Sequence, residues 1–298
     1  MKPQPNISII TVNYNGCEDT KELIYSIQEH LITVSYELIV IDNGSRENEA
    51  ALLLELFPTI QTIRSDLNLG FAGGNNLGIK QATGQYLLFL NNDVILKDAS
   101  LIFLFETLDK NPHLAGVSPK ILFADSPQSI QFAGYTSLSH ITLRNCIIGY
   151  KQDDNGQWDS PHETPYLHGA AMCIRKEVIE TVGLMPEVYF LYYEELDWCT
   201  QMTSKGYELG YVPQAEVFHK ESRSTGQESP LKVYYMTRNR LLYAKRNRKG
   251  GEYILSALYL LIFAYPKSFF YFLSHKKGKQ AKAVIKGIID FFQMKKGL

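Results

Sequence analysis

Three apolar runs that end in polar residues constrain the fold of this chain most strongly. They cover residues 7–12, 37–42 and 84–90, and each closes on, or is followed directly by, Asn or Asp. Residues 50–57 and 75–82 have helical character, as has a segment after the first run. Strands that alternate with helices predict an α/β fold with a mostly parallel sheet, covered by helices on both faces. Ligands of such sheets bind beyond the carboxyl ends of the strands, so the polar residues predict a ligand-binding edge.

Asn91, Asn92 and Asp93 follow the third run and give the first indication of chemistry. A carboxylate with neighbouring amide oxygens suits a hard divalent cation, which proteins often hold with one or two carboxylates plus substrate phosphates. Asn and Asp are also common turn residues, so this tripeptide alone leaves a plain turn open.

The rest of the chain continues the alternation up to about residue 220. We predict strands at 60–64, 115–123, 170–175 and 208–212, and helices at 100–110, 176–182 and 196–205. The polar, turn-rich residues 124–166 are predicted to form an irregular insertion or an acceptor-side loop region.

Seven short motifs, in a fixed order, resemble those of family 2 glycosyltransferases. In chain order they are Val12-Asn-Tyr-Asn15, Asp42-Asn-Gly-Ser45, the glycine-rich residues 68–76, Leu90-Asn-Asn-Asp93, His168-Gly-Ala-Ala171, residues 192–198, and His219. The resemblance spans roughly residues 5–245 and is nearest to the rhamnosyltransferase-like branch that builds bacterial surface polysaccharides. It implies a GT-A fold and inverting transfer of a sugar from a nucleotide diphosphate donor to a saccharide or polyprenyl-linked glycan acceptor.

The donor that this branch suggests is dTDP-L-rhamnose. A UDP-sugar carrying galactofuranose, glucose or an N-acetylhexosamine is one alternative. A non-catalytic sugar- or membrane-binding relative is another, because Asn91 and Glu195 stand where the family often has Asp. A nucleotidyltransferase is disfavoured, since residues 12–16 contain no Lys or Arg for a basic phosphate loop.

The resemblance places the nucleotide base at the ends of the first two strands. Val12, Asn13 and Tyr14 would surround the base, and the carboxylate of Asp42 would accept the N3–H of uracil or thymine. From the residues alone, Asp42 can equally be a helix-capping or turn residue.

Residues 68–76 contain three glycines but match neither the Gly-x-Gly-x-x-Gly pattern nor a P-loop. We interpret the glycines as letting the backbone approach a nucleotide closely before a helix that begins near Asn75. Asn68 and Gly73 are the predicted ligand contacts, and a plain strand-to-helix turn is the alternative.

The resemblance assigns a metal ion, Mn²⁺ or Mg²⁺, to Asp93 and His219. The ion would bridge the donor diphosphate and stabilise the charge that grows on the leaving group. Asn91 replaces a carboxylate that the family often has, which predicts a weaker metal site. Asn91 and Asn92 are therefore assigned to donor binding. A lone His is often structural, which is the alternative for His219.

Glu194, Glu195 and Asp197 are the acid/base candidates. An inverting transfer needs a base within hydrogen-bond reach of the acceptor hydroxyl, opposite the leaving group. The family's pair is commonly Glu-Asp with the second residue as base, so the resemblance gives this role to Glu195. A charged first helical turn is the alternative, since acids there interact favourably with the helix dipole.

Three further residues complete the expected donor site. His168 would contact the sugar hydroxyls, and Gly169 would leave room for the hexose. Arg238, together with Arg223 in a loop at residues 222–229, would pair with the diphosphate when that loop closes. Arg238 could instead be the start of a basic tail.

The tail differs from the body in charge and in hydropathy. Fourteen basic and two acidic residues lie from Arg238 onward, a net charge of +12 in a chain whose total is −1. Residues 253–273 are almost wholly apolar, and residues 275–298 have the pattern of a basic amphipathic helix. We expect the tail to lie in the plane of an anionic membrane surface. A cover for the catalytic domain and a homodimer contact are the alternatives.

Nucleic acid is not an expected partner, because the phenylalanines of the tail lie in an apolar run rather than among basic residues. We predict a GT-A domain at residues 1–245, with its nucleotide-binding half at 1–123 and its acceptor-binding half at 124–245, and a helical segment at 246–298. The four cysteines lack ligand-like spacing and the N-terminus lacks a signal-peptide apolar stretch. Both observations favour a cytoplasmic protein, peripheral on the inner face of the membrane.

Overall fold

The computed structural model describes residues 6–220 and 228–294. The first half contains β1 (Ile7–Asn13), α1 (Cys17–His30), β2 (Tyr36–Asn43), α2 (Glu49–Leu56), β3 (Gln61–Ser65), α3 (Gly70–Gln81), β4 (Tyr86–Leu90), β5 (Val94–Ile95) and α4 (Ile102–Lys110). The second half contains β6 (Leu114–Phe123), β7 (Ser126–Phe132), β8 (His162–Glu163), β9 (Ala171–Arg175), α5 (Lys176–Val182), α6 (Glu194–Ser204) and β10 (Glu208–His219). The C-terminal helices are α7 (Pro230–Asn247), α8 (Gly250–Tyr259), α9 (Tyr265–Ser274) and α10 (Gly278–Gln293).

The strands form one mixed sheet in the order β3-β2-β1-β4-β9-β6-β10-β5, with β7 beside β6 and β8 beside β10. β1, β2, β3 and β4 are parallel, and so are β6 and β10, whereas the other pairs are antiparallel. Alternate side chains of a strand point to opposite faces, and accordingly Ile9 and Ile10 belong to two different core clusters. Helices cover both faces, which confirms the predicted α/β class.

This topology brings the ends of β4 and β10 together at one edge of the sheet. β9 lies antiparallel to β4, with Ala171 opposite Leu90. β10 ends beside the two-residue strand β5, where His219 is opposite Val94. Since Val94 directly follows Asp93, the pairing carries His219 to the end of β4, 126 positions after Asp93 in the chain.

The predicted start of α3 at Asn75 is wrong, because α3 begins five residues earlier, at Gly70. Gly70 has a φ of +73°, and an added Cβ would overlap the carbonyl oxygen of Phe190. The amide of Phe71 donates to that carbonyl at 2.7 Å. Asn75 lies inside the helix and donates to the carbonyl of Phe71 at 2.9 Å. The helix therefore starts where the chain docks on a distant segment, which local sequence does not reveal.

Three other segments also differ from the prediction. Residues 124–166 are not wholly irregular, because β7 pairs antiparallel with β6. β10 continues from Glu208 to His219 through a register shift, whereas the prediction ended at residue 212. α7, which carries Arg238, was not predicted as a helix. All three differences extend the part of the fold that supports the sheet edge.

The C-terminal helices pack on the body along α7. An added Cβ at Gly287 of α10 would lie 2.9 Å from the carbonyl oxygen of Tyr234, so the two helices are in close contact. The hydroxyl of Tyr265 donates to the carbonyl of Thr237 at 2.8 Å. Buried residues of this segment share one core with α6 and α7; they are Leu260, Tyr265, Phe272, Val284 and Phe291.

The other side of the same helices is apolar and exposed. α8 and α9 are joined by a π-helical turn into one helix, Gly250–Ser274, which is long and apolar enough, by length and composition, to cross a membrane. It is the one such helix in the part of the chain that the structure describes. We call the exposed set the C-terminal apolar face; it consists of Ile254, Leu255, Leu258, Ile262, Phe263, Phe270, Tyr271, Leu273, Ile285, Ile289 and Phe292. α10 thus divides its apolar residues between the body and this face.

Candidate active site

A cavity of about 470 Å³ lies at the edge of the sheet where β4 ends. Asn91 and Ala170 form part of its floor, and the N-terminus of α6 forms one wall. The residues that the sequence assigned to the site and that line this cavity are Asn91, His168, Gly169, Glu194 and Glu195. The residues that the prediction missed include Phe71, Tyr135, Asn145, Tyr192, Tyr193, Lys232 and Met236.

Asp93 and His219 meet beside this cavity, as predicted. Nε2 of His219 lies 3.0 Å from Oδ1 of Asp93 and 3.4 Å from Nδ2 of Asn91. Nδ1 of His219 lies 2.8 Å from Oε1 of Gln131. Because that amide oxygen accepts, we assign the ring proton to Nδ1, which leaves the lone pair of Nε2 facing the carboxylate.

This arrangement fits a divalent cation. Oδ1 of Asp93 is buried and has no hydrogen-bond partner among the described residues. Two lone pairs that face each other across 3.0 Å repel unless a proton or a cation lies near both. The Gln131 contact to the other ring nitrogen is the orienting bond that metal-ligating histidines usually have. Residues 6–220 and 228–294 contain no cluster of three His, Cys, Asp or Glu, so donor oxygens and water would have to complete the coordination.

Glu194 and Glu195 begin α6 and face the cavity. Glu194 is buried and its Oε2 has no hydrogen-bond partner within the described part of the chain. Burial, followed by the neighbouring charge of Glu195, raises the pKa of Glu194 well above its usual range. Burial also raises the pKa of Glu195. Here the cost of removing the charge from water outweighs the helix dipole, which favours ionised acids at this position.

Asp197 does not reach the cavity, which corrects its assignment as an acid/base candidate. Its carboxylate is buried and accepts from Nε of Arg246, from Nδ2 of Asn247 at 3.1 Å and from Nε2 of Gln201 at 3.1 Å. Arg246 and Asn247 belong to α7. Asp197 therefore joins α6 to α7.

Arg238 is also structural in this conformation, which differs from both interpretations of the sequence. Its guanidinium donates to the carbonyls of Val188 and Tyr189, at 3.2 and 2.6 Å, and lies 4.9 Å from the ring centre of Tyr235. Arg238 therefore holds the segment that precedes the two glutamates. It is not the start of a surface tail. Arg223, its expected companion, lies outside the described residues.

Asn239, which the prediction missed as a site residue, holds the same segment. It is fully buried, and its Nδ2 donates to the carbonyls of Tyr189, Leu191 and Tyr192 at 3.1, 2.8 and 2.8 Å. This segment has left-handed backbone at Phe190, Tyr192 and Tyr193, with φ values of 67°, 67° and 79°. Such values are unfavourable for aromatic residues. We call residues 189–193 with the side chain of Asn239 the asparagine clamp.

Asp42 and Asn13 are occupied by the protein itself. Asp42 is fully buried and accepts from the amides of Ser45 and Ala50 and from Arg64, at 3.0, 3.3 and 3.0 Å. The structure therefore supports the turn and capping interpretation of Asp42, with no oxygen exposed to a base.

The side chain of Asn13 joins Thr20 to Glu49, at 2.9 and 2.6 Å. Tyr14, by contrast, is 49% exposed, and Val12 is half-buried. Of the four predicted base contacts, Tyr14 and Val12 are thus the two that remain accessible to a nucleotide.

The glycines of α3 serve packing against the protein, which corrects their predicted role of approaching a nucleotide. An added Cβ at Gly73 would lie 2.6 Å from Cβ of Leu69, and one at Gly74 would lie 2.8 Å from Cγ1 of Val12. Asn68 accepts from Nδ2 of Asn43 at 3.1 Å and from the amide of Gly70 at 2.9 Å. Oδ1 of Asn68 and the space beside Gly73 are therefore taken by the protein.

Asn92 also builds the site rather than lining it. Its Nδ2 donates to the carbonyl of Gly16 at 3.2 Å and to the hydroxyl of Thr20 at 3.1 Å. It thereby ties the end of β4 to the turn after β1.

His168 and Gly169 form the part of the cavity between the Asp93–His219 pair and the glutamates. The ring of His168 stacks on Tyr135, with ring centres 6.1 Å apart. Burial lowers the pKa of His168 to about 3, with a smaller contribution from His219, so the ring is neutral. An added Cβ at Gly169 would lie 3.7 Å from Phe71 and 4.0 Å from Cγ of Glu195. A side chain at position 169 would therefore fill the gap between its backbone and the side chains of Phe71 and Glu195.

Residues 8–183 match the family described as Glycosyl transferase family 2. The chain belongs to this family. The resemblance seen in its motifs is thereby confirmed. The low-salt glycan biosynthesis hexosyltransferase Agl10 of Haloferax volcanii is 28% identical over 242 residues, which are 80% of this chain and 75% of that protein. The N-acetylglucosaminyl-diphospho-decaprenol L-rhamnosyltransferase of Mycobacterium tuberculosis is 24% identical over 214 residues, 64% of this chain and 68% of the relative.

A solved structure extends the similarity to the whole fold. The mannosyltransferase PcManGT of Pyrobaculum calidifontis, in complex with GDP-Man and Mn²⁺, superposes with a TM-score of 0.61 at 14% identity. The match covers 99% of this chain and 89% of the other. The chain therefore has the GT-A fold that its sequence predicts, with the predicted helical segment at its C-terminus.

Proposed function

We propose that this protein is an inverting, metal-dependent glycosyltransferase that moves a hexose from a nucleotide diphosphate to an acceptor hydroxyl. One observation carries the proposal: the carboxylate pair of Glu194 and Glu195 lines the same cavity as Gly169, while the paired Asp93 and His219 lie beside that cavity. A base and an anion-stabilising corner at two sides of one space match the needs of a displacement at a sugar carbon.

The chemistry follows from these positions. Glu195 would accept the proton of the acceptor hydroxyl while that oxygen attacks the anomeric carbon, and the bond to the diphosphate breaks on the opposite face. A raised pKa makes the carboxylate a stronger base near neutral pH. Asp93 and His219 would hold Mn²⁺ or Mg²⁺, which stabilises the negative charge of the leaving diphosphate. The neutral ring of His168 would contact sugar hydroxyls.

We further propose dTDP-L-rhamnose as the donor, with a UDP-sugar as the alternative. The mycobacterial rhamnosyltransferase supports this choice, whereas Agl10 is described only as a hexosyltransferase and PcManGT binds GDP-Man. The acceptor would be a glycan, free or carried on a lipid.

The C-terminal apolar face is proposed to lie on an anionic membrane leaflet, with the catalytic body on the cytoplasmic side. Apolar and aromatic side chains are exposed along α8, α9 and α10, and exposed Lys279, Lys282 and Lys286 accompany them on α10. Burial of the apolar groups and attraction of the lysines to anionic lipid would act together. A contact between two copies of the chain is the competing occupant of this face.

The decisive experiment uses the full-length protein with dTDP-, UDP- and GDP-sugars, a panel of glycan acceptors and Mn²⁺. Nucleoside diphosphate release and sugar transfer are both measured. Glu195→Gln should lower turnover by about 10²-fold while donor affinity changes little. Glu180→Gln, at an exposed position on α5, is the matched control. A larger loss in Glu194→Gln would move the role of base to Glu194.

A further inference from the structure

A second groove, of about 250 Å³, adjoins the catalytic cavity. Lys232 and Met236 line both spaces. Together with Arg240 they occupy positions i, i+4 and i+8 of α7, which lie on one face of a helix. The groove therefore runs along α7, from the catalytic cavity toward the C-terminal helices.

The far wall of this groove is largely apolar. Tyr265, Ser268 and Phe272 of α9 and Val284 of α10 line it. These residues belong to the helices that carry the C-terminal apolar face on their other side. The groove thus connects the catalytic cavity with the part of the protein that is proposed to contact lipid.

The near part of the groove is cationic. Lys232 and Arg240 contribute two positive charges, and neither has a carboxylate at ion-pair distance within residues 6–220 and 228–294. Glu228, the acid of this groove, is paired with Lys277. One terminal nitrogen of Arg240 donates to the carbonyl of Thr142, but its buried Nε has no hydrogen-bond partner among the described residues. A buried N–H without an acceptor is costly, and an anion in the groove could supply one.

We propose that this groove binds the phosphate-bearing head and the first part of the chain of a lipid-linked acceptor. Lys232 and Arg240 would take the phosphate or diphosphate, and the wall of α9 and α10 would take the apolar chain. The acceptor sugar would then extend past Met236 into the catalytic cavity. This inference rests on the proposed function, because it assigns the acceptor of that same site.

Calorimetric titration tests the groove without any turnover. The full-length protein is saturated with Mn²⁺ and a nucleoside diphosphate, so that the donor site is blocked, and is then titrated with farnesyl diphosphate, farnesol or inorganic diphosphate. We expect farnesyl diphosphate to bind at least ten times more tightly than either fragment, because only it fills both parts of the groove. Equal affinity for inorganic diphosphate would show an anion site alone, and equal affinity for farnesol an apolar cleft alone; either result overturns the proposal.

Two variants separate the two parts of the groove. Arg240→Gln removes a cation, with Lys245→Gln, at an exposed position of the same helix, as control. Ser268→Trp fills the apolar part, with Ser274→Trp, exposed on the same helix, as control. Each groove variant should weaken binding of farnesyl diphosphate about tenfold, and neither control should.

Unchanged binding in both groove variants would refute the site even if the enzyme transfers sugar. Conversely, tight binding of farnesyl diphosphate with no transfer from any nucleotide sugar would contradict the proposed function and leave the groove intact. If Ser268→Trp fails to fold, Arg240→Gln alone decides the outcome.

Discussion

Removal of the asparagine clamp should lower the catalytic rate far more than donor affinity. Asn239→Leu keeps a side chain of similar size but removes both N–H groups. The carbonyls of Leu191 and Tyr192 then lose a donor at 2.8 Å, whereas the carbonyl of Tyr189 keeps its bond from Arg238. These carbonyls belong to the segment that leads directly into Glu194 and Glu195.

The size of the effect follows from these bonds. Two carbonyls that are left without a donor cost about 1–2 kcal/mol each, so the stability of the protein should fall by about 2–4 kcal/mol. For a chain of this size that corresponds to a Tm lower by roughly 3–6 °C. The left-handed residues Phe190, Tyr192 and Tyr193 are then less strongly held and can relax. A shift of about 1 Å at a reacting group can cost 10²-fold in rate, so we expect kcat to fall by about 10–100-fold.

The matched control is Asn247→Leu. Asn247 lies on the same helix, and its Nδ2 donates to Asp197 of α6 and to the carbonyl of Tyr243, and not to the carbonyls that Asn239 holds. Both variants should lose thermal stability, and only Asn239→Leu should lose kcat while its donor dissociation constant stays within about threefold. If Asn239→Leu keeps the kcat of the wild type at a temperature where it is folded, the clamp does not position the glutamates.

Three further predictions concern the metal, the buried acid and the tail. EDTA should abolish transfer and Mn²⁺ restore it, and Asp93→Asn should weaken Mn²⁺ binding at least tenfold by calorimetry, a result that full activity in chelator would contradict. Because the folded pKa of Glu194 is raised, its ionisation destabilises the fold as the pH rises above the unfolded value of about 4.3. Glu194→Gln should therefore raise the Tm at pH 7 but not at pH 4, and equal shifts at both would refute this. Lys279→Glu with Lys282→Glu should weaken binding to anionic vesicles at low salt, unlike the charge reversal Lys245→Glu; unaltered binding would exclude α10 as the contact.

The strands of the nucleotide-binding half could be predicted because each is one uninterrupted apolar run. β1, β2 and β4 lie within two residues of their predicted bounds. The contact between Asp93 and His219 could be expected only through the family resemblance, since no local pattern relates the two residues. The contact depends on the pairing of β5 with the last residues of β10.

The roles of Glu195 and Asp197 depend on where α6 begins, which the sequence left open. α6 begins at Glu194, two residues before its predicted start. At 3.6 residues per turn, positions 195 and 197 differ by about 200° around the helix. Glu195 therefore faces the cavity while Asp197 faces α7. The role of Asp42 depends in the same way on strand register, because the register places Arg64 of β3 directly opposite it.

Hydrogen-bond partners separate the motif residues that build the site from those that face a ligand. Asn13 and Asp42 have both polar atoms of their side chains bonded within the protein, and Asn68 and Asn92 each have one polar side-chain atom bonded there. Three of the eight buried polar side-chain atoms that have no partner in the described residues lie at or beside the cavity, on Asp93, Asn145 and Glu194. Three of the seven described non-glycine residues with positive φ, Phe190, Tyr192 and Tyr193, lie in the segment that enters it. Each of these features destabilises the fold unless a ligand compensates for it, so the three atoms and the three strained residues argue that ligands complete the site. A cation would satisfy Asp93, and sugar hydroxyls would satisfy Asn145 and Glu194.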